Sequence, residues 1–490
     1  MIQQTDHIHL KPGSLFLLAF CAAILLWTAA EPFSRAFRLT EIIYNEGWNV
    51  YNTQKVAWHQ PLYAVAYGWT TPEYPALSFH LVAALGKSTS DYLFTGRMLS
   101  LAGLCLSGVM AGLIVSHTTH SKIAAWFTGL YLVAFFCAFG NKYVGLDDPQ
   151  MLAHPFYLAG LYVYLKGNRR GWALDLTALL FVLTGNIKHN LIEFPIAVLL
   201  DLLFSSPRRA LRYSAVGAAM AAVSVVLTRH IDGAAYVACL LAPRSYSVLT
   251  GIQLMFSLLI MAILPVVAAL FMAFLCWKNP SQRVLALTLF CALAANTYFS
   301  GGSGGSINRL FGSILAIVLL NGVFWAEFSK LPLGRICALS QVAVCSVFFL
   351  WLAIPMFMLG NWRTDEAMQQ DRDAERRFAV EVAFLRQQPG AALCESLLRC
   401  AFAGKPYIYD PYNATRFIEQ GRLDPNVIVN HLKNHEYGTV QLNDSLERKL
   451  ADPRTRDRFV LPILQAIGEY YRPGMENEDG VIFLPKDTVR

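Results

Sequence analysis

Residues 41–63, EIIYNEGWNVYNTQKVAWHQPLY, follow the first long apolar run of the chain and carry charged and aromatic side chains that a bilayer core would not accept. Within this segment Glu46 and Gly47 lie between two aromatic residues, Tyr44 and Trp48. This setting suits a general base, because the glycine permits close approach and the rings can pack against a ligand. A solvated loop acid is the ordinary alternative, and the rest of the chain decides between the two.

The composition is that of a polytopic membrane protein. Of the 490 residues 55% are hydrophobic and only 15% are charged, which lies outside the range of soluble proteins. The first apolar run lacks an A-x-A-like cleavage site and is followed by further runs, so we interpret it as an anchor. Because a hydrocarbon core requires about 20 apolar residues, the runs predict about eleven transmembrane helices. They cover residues 14–30, 96–116, 122–140, 149–166, 171–186, 190–204, 213–229, 249–276, 284–299, 309–326 and 336–358.

Charge predicts which end of each helix faces the cytoplasm. An odd number of spans places the termini on opposite sides. With the N-terminus inside, the cytoplasmic segments hold twelve Lys and Arg residues, against five in the short outer loops. The long first loop is left out of this count, because long loops translocate largely regardless of charge. The sequence therefore predicts a cytoplasmic N-terminus and a C-terminal part outside the cytoplasm.

The chain is expected to divide into two domains. Residues 1–360 carry 22 Lys and Arg against 13 Asp and Glu, whereas residues 361–490 carry 18 against 20 and have a soluble composition. In the second part residues 372–387 are helical in pattern, and 406–410 and 481–485 resemble short strands. The predicted fold is an α-helical polytopic membrane domain with a C-terminal soluble α/β domain. Basic residues do not gather on a soluble face, so no nucleic-acid partner is predicted.

Cysteines are used mainly as small hydrophobes. Eight of the ten lie in the apolar part, and no spacing predicts a metal-thiolate site. Cys394 and Cys400 lie in the soluble part, where a disulfide would form in an oxidising compartment. Two buried thiols are the alternative.

An acidic pair, Asp147 and Asp148, stands at the mouth of the fourth predicted span. Paired carboxylates can hold Mg²⁺ or Mn²⁺ when a substrate contributes phosphate. Asp148 followed by Pro149 equally makes an ordinary helix cap. A divalent cation is therefore one of two open alternatives here.

Two further segments place cations at outer span ends. Lys188 and His189 follow the fifth span, and Asn308 and Arg309 end the Gly-rich run GGSGGSINR at residues 301–309. Cations in such places can bind a phosphate. The alternatives are a basic side chain that reaches for lipid headgroups and a flexible surface turn. The Gly-rich run matches neither a P-loop nor a dinucleotide-binding motif.

The order of these short motifs resembles that of the GT-C membrane glycosyltransferases, over residues of about 40 to 325. The nearest branch comprises bacterial lipid A aminoarabinose and lipopolysaccharide-core sugar transferases, with protein O-mannosyltransferases as more distant relatives. The first-loop acid of this family is more often Asp, or an Asp-Glu pair, whereas Asn45-Glu46 supplies one carboxylate here. The motifs are Glu46 after the first span, PLY (61–63), YPALSFHL (74–81), GRMLSLAGL (96–104), DDPQML (147–152), NIKHN (186–190) and SINR before a late span.

The resemblance implies an inverting glycosyltransferase of the inner (plasma) membrane, which moves one sugar from a polyprenyl-phosphate donor to a lipid or glycan acceptor in the cell envelope. Residues 31–95 would then form the catalytic outer loop, with Glu46 as the general base. A multi-pass transporter is the main alternative, but it predicts broken helices in matching halves and repeat symmetry. A structural membrane subunit is a third. The residues expected to contact substrate are Tyr44, Trp48, His59, Tyr63, Lys188, His189, Asn308 and Arg309.

Overall fold

The structure, a computed structural model, describes residues 12–328, 341–358 and 365–486. Helices make up most of the first two ranges, because a helix satisfies the backbone hydrogen bonds of a long apolar run within the run itself. The helices are α1 Pro12–Arg35, α2 Asn45–Ala57, α3 Leu77–Gly86, α4 Tyr92–Thr119, α5 Lys122–Phe139, α6 Pro149–Lys166, α7 Trp172–Ile187, α8 Glu193–Ser205, α9 Pro207–Ile231, α10 Tyr236–Leu240, α11 Val248–Met261, α12 Ile263–Trp277, α13 Arg283–Ser300, α14 Phe311–Glu327 and α15 Gln341–Met358.

The multi-pass membrane class is confirmed by these helices. Among the residues described, six helices are long and apolar enough to cross a membrane, namely α1, α4, α5, α9, α13 and the segment Ile307–Glu327. The other predicted spans also coincide with helices, which are shorter or more polar. The first residues of the last predicted span, 336–340, lie outside the described residues, as does the predicted domain boundary at 360/361. The orientation of the termini stays a prediction.

One predicted span is not a continuous helix. Residues 249–276 form α11 and α12, which meet at an angle of 96°. Pro265 lies in the first turn of α12 and cannot donate to the carbonyl of Met261, four residues earlier. The indole N–H of Trp351 donates to that carbonyl instead, at 3.2 Å. The proline inside the apolar run was the available signal for the break.

Short connections between antiparallel helices gather the helix ends into two groups. The proximal end, as we call it, carries α2, α3 and the connections 140–148, 188–192 and 301–306. The distal end carries the connections 120–121, 167–171, 206 and 278–282. Each end thus collects side chains from segments that are far apart in sequence.

Residues 365–486 form an α/β region. Its four-stranded sheet has the order β1-β2-β4-β3, with β1 parallel to β2 and the other neighbours antiparallel. A disulfide between Cys394 and Cys400, whose Cα atoms are 6.2 Å apart, links β1 to the helix that follows it. The elements are α16 Asp365–Gln387, β1 Ala391–Cys394, α17 Leu397–Phe402, α18 Pro411–Glu419, α19 Asn426–Lys433, β2 Tyr437–Leu442, α20 Leu446–Ala451, α21 Leu461–Tyr470, β3 Tyr471–Asn477 and β4 Gly480–Pro485.

The sequence predicted part of this region correctly. Residues 372–387 lie in α16 and 481–485 in β4, but 406–410 form no strand. The backbone N–H of Asp410 instead donates to the carbonyl of Trp69, at 2.7 Å. This extended segment therefore contacts the loop before α3 rather than the sheet, and it docks the α/β region on the proximal end.

Candidate active site

A cavity of about 360 Å³ opens at the proximal end, between the end of α7, the residues before α11 and the connection after α13. Four residues predicted to contact substrate line it together, namely Lys188, His189, Asn308 and Arg309. Tyr74 and Arg244 also line the cavity and were not among the residues predicted to contact substrate. Three of these side chains are cationic, and no Asp or Glu is among the lining residues.

Lys188 is the most enclosed of the three cations, with 4% of its surface exposed. Its ammonium group lies 3.6 Å from the centre of the Tyr74 ring and 3.5 Å from a carboxylate oxygen of Asp148. Burial lowers the pKa of Lys188, because desolvation disfavours the charged form. The contact with Asp148 is long, so an anion in the cavity can compete for this ammonium group.

Arg309 is held by the Gly-rich run that precedes it. Its guanidinium donates to the carbonyls of Gly302 at 2.8 Å and Ser303 at 3.2 Å. A Cβ atom at Gly305 would lie 2.4 Å from the Arg309 side chain. The glycines are therefore required so that the loop can wrap around the guanidinium, which joins the loop to the cavity wall.

Arg244 connects the cavity to the α/β region. It donates to Glu73 at 2.7 Å and to the carbonyl of Ser303 at 3.3 Å, and Arg416 forms a second ion pair with Glu73. The sequence signal for Arg244 is the same as for Lys188, a cation in a connection between two apolar runs. One carboxylate shared by two guanidinium groups leaves the cavity wall positive.

Glu46 lies in a buried ion pair and not in this cavity. It has no exposed surface, and its two oxygens accept from Arg97 at 2.7 and 2.6 Å. The backbone N–H groups of Ile42 at 2.6 Å and Asp147 at 3.1 Å also donate to it. A carboxylate with four protein donors and no solvent contact cannot reach an acceptor hydroxyl in this conformation. The geometry therefore does not support the general-base role predicted for Glu46.

The residues around Glu46 contact the α/β region. The hydroxyl of Tyr44 donates to Asp410, and the guanidinium of Arg458 lies 3.8 Å from the centre of its ring. A Cβ atom at Gly47 would lie 2.2 Å from the backbone nitrogen of Leu398. The glycine does permit a close approach, as predicted, but the approaching group is the backbone of α17. This face of α2 is a docking surface for the α/β region.

The other aromatic residues predicted to contact substrate surround Tyr74. Trp48 is buried and packs edge-on against the Tyr74 ring, with 4.9 Å between the centroids. Tyr63 is fully buried, and its hydroxyl donates to the Tyr74 carbonyl at 2.6 Å. His59 is exposed just beyond the end of α2. None of these three lines the cavity, and Trp48 and Tyr63 position Tyr74 instead.

The two residues of the acidic pair, Asp147 and Asp148, make different contacts. Asp148 caps α6 by accepting from the N–H of Gln150 at 2.9 Å, with Pro149 at the first helical position, so the capping alternative holds. Asp147 is buried, and burial together with the neighbouring Glu46 raises its pKa well above the usual range. Within the described ranges no group of three or more His, Cys, Asp or Glu residues could hold a metal ion. These donors do not form a metal site by themselves, and Mg²⁺ or Mn²⁺ binding stays a prediction.

Comparison with solved structures identifies the fold. ArnT from Cupriavidus metallidurans, crystallised with undecaprenyl phosphate, has a TM-score of 0.61 and 11% identity over 97% of this chain and 99% of that chain. The archaeal oligosaccharyltransferase AglB from Archaeoglobus fulgidus, in complex with an inhibitory peptide and a dolichol-phosphate, has a TM-score of 0.52 and 11% identity over 98% of this chain and 75% of that chain. No protein-family model and no curated protein matches the sequence. The chain thus has the GT-C fold that its motifs predicted.

Proposed function

From the premise of a GT-C fold, we propose that this protein is an inverting glycosyltransferase that uses a polyprenyl-phosphate sugar as its donor and a lipid or glycan as its acceptor. The observation that carries the proposal is the proximal cavity, in which Lys188, Arg244 and Arg309 converge without an acidic lining residue. Such a cluster suits a phosphate group, whose oxygens accept charge-assisted hydrogen bonds. Both structural neighbours named above were solved with a lipid-linked phosphate.

A second cavity suits the hydrocarbon part of such a donor. It has a volume of about 440 Å³ and lies between α7, α8 and α9, lined mainly by apolar and small side chains. His189 lines both cavities, so they adjoin at the end of α7. A polyprenyl chain in the second cavity would place its phosphate beside Lys188.

The cations would act at the leaving group. As the bond between sugar and phosphate breaks, negative charge grows on the phosphate, and cations fixed in advance stabilise that charge. Arg309 and Arg244 are held by carbonyl oxygens and by Glu73, so they need little reorganisation. Lys188 can turn from Asp148 towards the phosphate.

We propose Asp148 as the general base in preference to Glu46. Its side chain is only 1% exposed and does not line the cavity, so the displacement of Lys188 must also open a path from the cavity to this carboxylate. Inversion requires a carboxylate that takes the proton of the acceptor hydroxyl. One oxygen of Asp148 caps α6, and the other has only the contact of 3.5 Å to Lys188. When the donor phosphate draws Lys188 away, that oxygen loses its cation and becomes the better proton acceptor. Donor binding would thus prepare the base.

The proposal is tested by binding of undecaprenyl phosphate to the full chain in nanodiscs, measured by native mass spectrometry. Lys188→Met removes a charged donor and should weaken binding about 10- to 100-fold. Lys142→Met is the matched control, because Lys142 is exposed at the same end and does not line the cavity. Absence of binding by the wild type would refute the donor class, and equal affinities in both variants would place the phosphate elsewhere. Mass spectrometry of envelope glycolipids with and without the protein would identify the sugar.

A further inference from the structure

A second cationic cavity lies at the opposite end of the helix bundle. It has a volume of about 650 Å³ and is formed by the ends of α4, α6 and α8, the start of α9 and the connection 278–282. Its lining includes Arg169, Arg170, Arg209, His117 and His120, and no Asp or Glu. The 18 residues of α6 separate it from the proximal site by about 27 Å, so it is no part of that site.

The inner wall of this distal cavity is rigid. Arg169 forms an ion pair of 3.2 Å with Asp201, a fully buried carboxylate on α8. Asp201 also accepts from Arg283 at 2.9 Å and from the hydroxyl of Tyr164 at 2.7 Å. The guanidinium of Arg169 donates in addition to the carbonyl of Pro280. Arg169 is thus fixed in position. Its positive charge, like that of Arg283, is already paired with the carboxylate of Asp201.

Two cations of the cavity remain unbalanced. The described part of the chain provides no carboxylate within ion-pair distance of Arg170 or Arg209. The side chain of Arg209 makes one long hydrogen bond, of 3.4 Å, to the carbonyl of Arg169. The guanidinium groups of Arg170, which is exposed, and Arg209, which is half-buried, therefore border the cavity with most of their donors free. Water and salt screen part of the repulsion between them, and an anion in the cavity would remove the rest.

The ends of α8 and α12, close in sequence to the lining residues Ser205 and Pro280, expose aromatic rings. Phe204 is 60% exposed and Trp277 is 45% exposed, with their ring centroids 6.1 Å apart. Arg283 lies over the Phe204 ring at 5.1 Å. Exposed aromatic rings beside basic residues at helix ends are typical of the boundary between headgroups and hydrocarbon. A ligand with both a phosphate and acyl chains would meet both surfaces.

We propose that the distal cavity binds the phosphate of an anionic membrane lipid. The phosphate oxygens would accept from Arg170 and Arg209, while Arg169 and its buried partner Asp201 hold the wall behind them. The acyl chains would lie along Phe204 and Trp277. This binding site is independent of the proposed sugar transfer, because it uses none of the residues of the proximal cavity.

Retention of phosphatidylglycerol by the full chain, measured by native mass spectrometry after delipidation and titration with the lipid, tests the proposal. The double variant Arg170→Gln/Arg209→Gln should bind about 30-fold more weakly, since each basic residue contributes about fivefold. The control Lys166→Gln/Arg208→Gln removes the same charge from exposed neighbours that do not line the cavity, and should bind as the wild type does. The single variant Arg170→Gln should show an intermediate loss and guards against misfolding of the double variant.

The source of the phosphate is distinguished by a second arm with inorganic phosphate at 10 mM, an order-of-magnitude excess over a weak site. Failure of this phosphate to displace phosphatidylglycerol supports a lipid headgroup, whereas displacement that depends on Arg170 and Arg209 supports a phosphate site supplied from solution. Equal loss of lipid from both double variants would mean that surface charge alone attracts it, and would overturn the proposal. Unchanged retention in the cavity variant would overturn it equally.

Discussion

Replacement of Glu46 by glutamine should destabilise the protein, because Glu46 is the only carboxylate that the structure places against the guanidinium of Arg97 among the residues described. Both side chains have no exposed surface. Glutamine keeps the shape but only one of the two acceptor oxygens, and its NH2 group would face N–H donors of Arg97 and of the backbone. A cation would then remain buried without its counter-ion.

The expected loss follows from that geometry. Removal of one partner of a buried pair costs about 3–5 kcal/mol, since the remaining charge keeps its desolvation penalty. Arg97 also donates to the carbonyl of Thr40 at 2.7 Å, which offsets part of the penalty but cannot neutralise the charge. Glu46→Gln/Arg97→Met should therefore recover part of the stability, because a buried pair can be replaced by apolar groups at little cost.

Unfolding in detergent, followed by helix content against denaturant, gives the free energies of the two single variants and the double variant. Glu478→Gln is the control, because Glu478 forms an exposed pair with Arg377 that should contribute little. If Glu46→Gln unfolds as the wild type does, the ion-pair argument is refuted. Loss of single-turnover transfer in that stable variant would then give Glu46 a part in transfer, either as the base or through Asp148. A destabilised variant with measurable transfer would exclude it as the base.

Three further outcomes are expected. Asp148→Asn should lower single-turnover transfer by about 10²- to 10⁴-fold while undecaprenyl phosphate still binds, and near-normal transfer would remove it as the base. Cys394→Ala should lower the free energy of unfolding by about 2 kcal/mol, given the short loop that the disulfide to Cys400 closes, and a non-reducing peptide map with both thiols free would contradict the pairing. Gly305→Ala should weaken donor binding, because its Cβ would displace Arg309, and unchanged affinity would show that the loop can yield.

The helices were predictable from sequence because each apolar run is limited by polar residues that cannot enter a bilayer. The run 149–166 ends where α6 ends, at Lys166. The same principle found four lining residues of the proximal cavity, since a cation at a span end interrupts the apolar pattern. Pro265 was overlooked because its apolar neighbours kept the run continuous, although it removes a backbone donor.

The sequence alone does not indicate which residues contact Glu46. Arg97 follows it by 51 residues, and nothing in local composition shows that α4 brings this guanidinium to α2. The docking of the α/β region could not be predicted from the sequence for the same reason, because Gly47 and Leu398, which are in contact, are hundreds of residues apart in the chain. The aromatic residues beside an acid therefore indicated a ligand site, whereas they mark a packed interface. Tertiary contacts, and not residue types, decide between those two outcomes.

The connection between α1 and α2 is followed by an amide, Asn45, where the resemblance to GT-C enzymes predicts an acid. Asn45 is half-buried and cannot take a proton at neutral pH, and the neighbouring Glu46 is engaged with Arg97. The Asn45-Glu46 pair therefore supplies no free carboxylate. Glu46 is linked to the cavity only indirectly. It accepts a hydrogen bond from the backbone N–H of Asp147 at 3.1 Å, and the next residue, Asp148, contacts Lys188 of the cavity wall at 3.5 Å. Through these contacts Glu46 can position Asp148 without touching substrate. Replacement of Glu46 would therefore lower both the stability of the protein and the rate of sugar transfer. Only the double variant with Arg97 separates the two effects.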